Sequence, residues 1–116
     1  MYVINYKERE ETPVDFAGSK NVFVRWLIGR NTGAKTYAMR RFEIKPGGII
    51  PLHSHEEEHE IFVLDGEAKV LGAEEGAVAK KNDVVFVESN LPHGYDNTEG
   101  KKSFCFICII PLLHKE

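Results

Sequence analysis

The stretch Gly47–Gly66, GGIIPLHSHEEEHEIFVLDG, constrains what this chain can fold into more than any other. It holds three of the five histidines, His53, His55 and His59. Alternate residues of a β-strand share a face, so His53 and His55 point the same way with Cα atoms roughly 6.5–7 Å apart. That separation lets two imidazoles converge on one metal ion. A straight continuation would put His59 roughly 20 Å from His53, so the chain must fold back within Glu56-Glu57-Glu58 for all three to meet. The acidic tripeptide suits a solvated tip, and HEIFVLDG is expected to return as the second strand of a hairpin.

The stretch resembles the first motif of the cupin superfamily: Gly, five residues, His-x-His, three or four residues, Glu, six residues, Gly. Gly47, His53, His55 and Gly66 fit, and His59 stands where the family has its glutamate. Glu60 is the rival for that position. His59 is preferred because it keeps both spacers, whereas Glu60 would turn the opposite strand face inward. The family's second motif, Gly, five residues, Pro-x-Gly, two residues, His, three residues, Asn, maps onto Asn82, Glu88, Asn90, His93 and Asn97. Both glycine positions hold Asn, the residue that next best tolerates positive φ. Glu88 replaces the proline, although Pro92 precedes His93.

The resemblance implies an all-β fold, a cupin-type double-stranded β-helix or jelly-roll barrel. It also implies one divalent metal per chain, held by His53, His55, His59 and His93. The four-histidine version is similar to small cupins that bind manganese. Imidazole donors also suit Fe, Ni, Cu or Zn, and affinity order alone does not choose among them. Replacing the usual glutamate by His leaves more of the metal's charge uncompensated, which favours anionic ligands. His114 lies outside the pattern and is read as an ordinary surface residue.

The rest of the chain agrees with one domain over residues 1–116. At 42% hydrophobic residues there is enough apolar material for one core. The net charge of −3 and the scattered pairs Arg40-Arg41, Lys80-Lys81 and Lys101-Lys102 argue against nucleic acid as a partner. MYVINYKEREE lacks the pattern of a signal peptide, and Phe104–Ile110 is too short to span a bilayer, so no membrane partner and a cytoplasmic location are expected. Cys105 and Cys108 fit a reducing compartment. Three residues apart on a strand they face opposite sides, so they are read as core thiols rather than a metal or disulfide pair.

Short strands punctuated by Gly, Pro and Asn are expected throughout: Met1–Tyr6 as an edge strand, a polar connection over Glu8–Lys20, then Asn21–Gly29. Thr36–Lys45 should end at Pro46-Gly47-Gly48, and Glu67–Leu71 should pair back on the motif hairpin. Ala77–Lys80, Asp83–Val87 and Lys102–Ile110 complete the sheet. Arg40 shares parity with Ala38, Phe42 and Ile44; inward it would hold a substrate carboxylate, and the alternatives are an exterior position or a salt bridge to the acidic tip. His59 inward brings Ile61 and Val63 inward as apolar walls of a substrate pocket. The parity of Phe104, Phe106, Cys108 and Ile110 places Cys108 near the same cavity. Outward Phe62 and Leu64, with a free N-terminal strand, suggest a homodimer. The partner of the site is a small molecule. The favoured function is a metal-dependent, dioxygenase-like oxidoreductase, with a metal-dependent isomerase or lyase, or a non-catalytic binding module, as alternatives.

Overall fold

The computed structural model describes residues 1–113; His114 lies outside them. Nine strands form the fold: β1 (Glu11–Pro13), β2 (Lys20–Ile28), β3 (Tyr37–His53), β4 (His59–Asp65), β5 (Glu67–Leu71), β6 (Val78–Lys80), β7 (Val84–Val87), β8 (His93–Asn97) and β9 (Phe104–Pro111). Among the described residues the only helical pieces are single 3-10 turns at Tyr6–Glu8, Phe16–Gly18 and Arg30–Thr32. Among the described residues no helix is long and apolar enough to cross a membrane.

All pairing is antiparallel, in the order β6-β5-β8-β3-β9-β4-β7, with β2 also on β3 and β1 on β2. The sheet nearly closes on itself, as the barrel expectation requires. β3 makes this possible by belonging to both halves. Its first part pairs with β2 and β9, Phe42 facing Val24 and Phe106. Its second part pairs with β8, Ile50 facing Tyr95 and His53 facing His93. The strand does not end at Pro46-Gly47-Gly48, as the turn residues suggested. Gly47 takes φ +86°, and a Cβ on Gly48 would press on the carbonyl oxygens of Lys20, Asn21 and Lys45. The two glycines therefore bend a continuous strand from one half of the sheet to the other.

The inward faces follow two-residue periodicity. On β4, His59, Ile61 and Val63 are buried while Glu60 and Phe62 are exposed. On β9, Phe104, Phe106, Cys108 and Ile110 are buried. They meet Val22 and Val24 of β2 and Ala38, Phe42 and Ile44 of β3 in one core. Phe42 stacks on Phe106 at 5.1 Å, and Tyr95 lies 5.3 Å from Phe106. Cys105 and Cys108 are both buried and free.

Further expectations are corrected. Met1–Asn5 forms no strand; Met1, Tyr2, Val3 and Ile4 stay exposed with no sheet partner, and a 3-10 turn capped by the Asn5 side chain follows. The Glu8–Lys20 connection contains a short strand, β1, paired to β2. β3 and β4 form no hairpin: β4 lies between β9 and β7, and β5 pairs with β6 and β8 rather than returning on β4. Residues 54–58 thus carry the chain across the barrel instead of turning it back. The acidic tip has the composition of a hairpin turn, and composition does not distinguish the two connections.

Gly66 closes the first motif with φ +78°, and a Cβ there would collide with the Ser103 carbonyl oxygen. Gly66→Ala is expected to lower stability by about 1–3 kcal/mol. The readout is a lower urea midpoint with little change in slope.

Candidate metal centre

β3 ends on His53, β4 opens on His59 and β8 opens on His93, so three strands deliver histidines to one end of the barrel. His55 follows two residues after His53 but lies beyond the strand. The loop fixes it instead: Asn90 N–H donates to the His55 carbonyl at 2.8 Å, and Ser89 Oγ donates to the Glu56 carbonyl at 2.6 Å. Asn90 holds φ +65° and Asn82 φ +75°, so both positions where the motif has glycine adopt the left-handed region. Asn97, the last motif residue, is buried and its side-chain amide donates to the Ile44 carbonyl at 2.9 Å and the Lys102 carbonyl at 3.0 Å. That tie anchors the far end of β8.

The imidazoles of His53, His55 and His93 each offer one nitrogen within 4.8 Å of the others. In each, Nδ1 lies beside a backbone carbonyl: Pro51 at 2.9 Å from His53, Glu57 at 2.9 Å from His55, and Leu91 at 2.7 Å from His93. A carbonyl only accepts, so Nδ1 carries the proton and Nε2 keeps its lone pair. Nε2 of His93 is buried with no hydrogen-bond partner. Three tethered rings with free, converging lone pairs, one of them otherwise an orphan in the interior, fit a divalent transition metal.

His59 faces the same space, its ring 4.4 Å from His55 and 5.0 Å from His93, yet it stands outside the tight group. Arg40 reaches it, with Nη2 3.4 Å from His59 Nε2 and 3.2 Å from Cys108 Sγ, to which it donates. The guanidinium also lies over the rings of Phe42, at 4.8 Å, and Trp26, at 5.3 Å. Arg40, Cys108 and Ile61 fall at one level across β3, β9 and β4, with Val63 one step deeper. Glu60 is exposed on the other face of β4.

Two neighbours of the site had no place in the sequence reading. The Tyr95 hydroxyl is buried and unpartnered; its spacing of two from His93 on one strand was the available signal. Phe16 packs edge-on against His53 at 4.9 Å from a segment that read only as polar connection.

Burial sets the protonation of the centre. Desolvation, with the Arg40 charge second, pushes His59 from 6.5 down to about 2. Burial also lowers His55 and His93. Desolvation raises the Tyr95 hydroxyl and the Cys108 thiol, so both stay protonated at neutral pH. The imidazoles of His55, His59 and His93 therefore meet a cation as neutral donors. A depressed histidine leaves the unfolded chain binding more protons below 6.5. Stability of the metal-free protein should thus be full above that value and fall as pH drops toward about 2. The slope from His59 is at most about 1.4 kcal/mol per pH unit. Urea unfolding of metal-free protein at pH 7.5 and pH 5 measures it, and His59→Gln should flatten it.

Residues 40–110 match the family model described as Cupin domain. An oxalate-binding protein from Thermotoga maritima is 34% identical over 80 residues, 68% of this chain. The chain spans 65% of that relative's length. Among solved structures, the polyketide cyclase RemF from Streptomyces resistomycificus superposes with a TM-score of 0.89 at 27% identity, covering 100% of this chain and 82% of that one. A predicted oxalate decarboxylase from Thermotoga maritima gives 0.81 at 28% identity, covering 97% of this chain and 100% of that one. Barrel, motif spacing and family model agree on one conclusion: the chain belongs to the cupin family.

Proposed function

We propose that the protein is a metal-dependent enzyme acting on a small, anionic, oxygen-chelating molecule, by polarising a carbonyl rather than by activating dioxygen. His53, His55 and His93 hold a divalent transition metal, manganese first, and His59 is its fourth ligand. Bound there, the metal would supply a Lewis acid for oxygen donors. The observation that carries this reading is a ligand group without a carboxylate, set beside the Arg40 guanidinium. Both features favour a negatively charged substrate. Arg40 orients it through paired N–H donors, Ile61 and Val63 wall the pocket, and protonated Tyr95 offers a hydroxyl donor close to Arg40 and Cys108.

The relatives support the choice of reaction class. A polyketide cyclase and a predicted oxalate decarboxylase are among the similar structures, and neither name is that of an oxygenase, which favours the isomerase or lyase reading over the oxidoreductase one. The test uses zinc-loaded protein under argon with 1,3-dicarbonyl compounds and 3-oxo acids, whose β-carbonyl takes up the electron pair as an enolate when a proton or CO2 leaves. Deuterium exchange at the acidic carbon, or loss of CO2, is expected with this redox-inert metal. Turnover that needs both dioxygen and a redox-active metal would return the assignment to a dioxygenase.

Two free cysteines support a cytoplasmic location. On the outer sheet face, Phe62, Val84 and Phe86 are exposed, and a second copy of the chain is proposed to cover them. Light scattering at micromolar concentration should give a dimer mass; a monomer mass contradicts it.

A further inference from the structure

We infer that the opening of this site selects flat, conjugated oxygen chelators, with Trp26 and Phe16 supplying the ring faces; this rests on the reading of the site as a place for chelating anions. Trp26 is the chain's single tryptophan. It follows Val22 and Val24 along β2 with the parity of the buried face, yet it is 45% exposed where those two are buried. Its ring holds the Arg40 guanidinium at 5.3 Å, and Arg40 in turn reaches His59 at 3.4 Å. Phe16, also 45% exposed, stands edge-on to His53 at 4.9 Å. Two large aromatic rings thus adjoin the histidine group, Phe16 directly from a 3-10 turn and Trp26 from β2 through Arg40, and neither is buried.

The backbone around Phe16 adds to this. Ala17 takes φ 58° and Gly18 φ +81°, so a non-glycine residue occupies the left-handed region in the turn that presents the ring. Strained backbone of this kind persists where the surroundings fix it, often beside a ligand. The other aromatic rings near the site, Phe42, Phe106 and Tyr95, are buried in the core and present no open ring face. A small aliphatic anion such as oxalate satisfies Arg40 and a metal without touching either exposed ring. A conjugated oxyanion does more: its charge meets the Arg40 guanidinium held over Trp26, while its uncharged ring makes offset or edge contacts with Trp26 and Phe16.

The test compares acetylacetone with 1-phenyl-1,3-butanedione on zinc-loaded protein. Calorimetry gives affinities, Trp26 emission reports proximity, and metal content and mass are measured for every variant. The phenyl compound should bind about tenfold more tightly and quench Trp26, and Trp26→Ala or Phe16→Ala should shrink that ratio to about two. Trp26→Phe should retain most of it. A structural role would weaken both diketones alike and leave the ratio intact, which overturns the inference. So does a Trp26→Ala protein that loses zinc or changes oligomeric mass. If both diketones bind equally while zinc stays in place, the aromatic selection fails and the proposed function stands. If zinc is held but neither diketone binds, the proposed function fails first and the inference with it.

Discussion

Alanine at His53, His55 or His93 is expected to reduce divalent-metal retention by more than about 100-fold, because changes one shell further out already cost 10–100-fold. Each ring brings an Nε2 lone pair to within 4.8 Å of the other two, and each is locked by an Nδ1–H bond to a carbonyl of its own segment. His59→Ala should also lose metal, since its ring closes the fourth side of the group. Glu60→Ala should retain it, the carboxylate being on the outer face of β4. The comparison is metal content after dialysis against a weak chelator at matched pH, for variants shown to be folded. His59→Ala at full occupancy beside an emptied Glu60→Ala would overturn the assignment of the fourth ligand.

Phe104→Ala should cost about 3–5 kcal/mol, a large share of the roughly 5–15 kcal/mol that holds a domain together. Phe104 is 1% exposed, opposes Ile44 across β3, and lies 5.4 Å from Phe106 and 6.3 Å from Tyr95. Tyr95 would lose its packing on one side, and β8 carries His93 two residues away, so metal retention should weaken along with the fold. Urea unfolding of metal-free protein gives the stability change. A loss under about 1 kcal/mol would mean the core collapses around the gap more readily than this packing allows.

The sequence was most informative where one face of a strand had to be buried. Alternation along His59–Asp65 and Phe104–Pro111 identified the inward residues because a one-residue slip would have put Ile61, Val63 and Phe106 in water. The asparagines at 82 and 90 could be recognised as glycine substitutes because few other residues accept their φ. Long-range pairing was less legible. Glu56-Glu57-Glu58 suits a hairpin tip and a crossover equally, and which one forms depends on β9 taking the place beside β4. Pro46-Gly47-Gly48 has the residues of a strand end, yet the same freedom about φ lets β3 bend and continue. Met1–Tyr6 read as an edge strand, but a strand needs a partner edge, which local sequence does not specify. Phe16 could not be placed beside His53 from sequence, since the contact arises from how β1 and its following turn cover the barrel.

The centre itself is tested most directly by titrating metal-free protein with Co2+ and following its d–d absorption. Saturation at one equivalent per chain is expected, with energies and intensities of nitrogen-rich coordination that collapse in His93→Ala. Absorption that rises without saturation, or a one-to-one spectrum unchanged in His93→Ala, would contradict a metal centre built from these histidines.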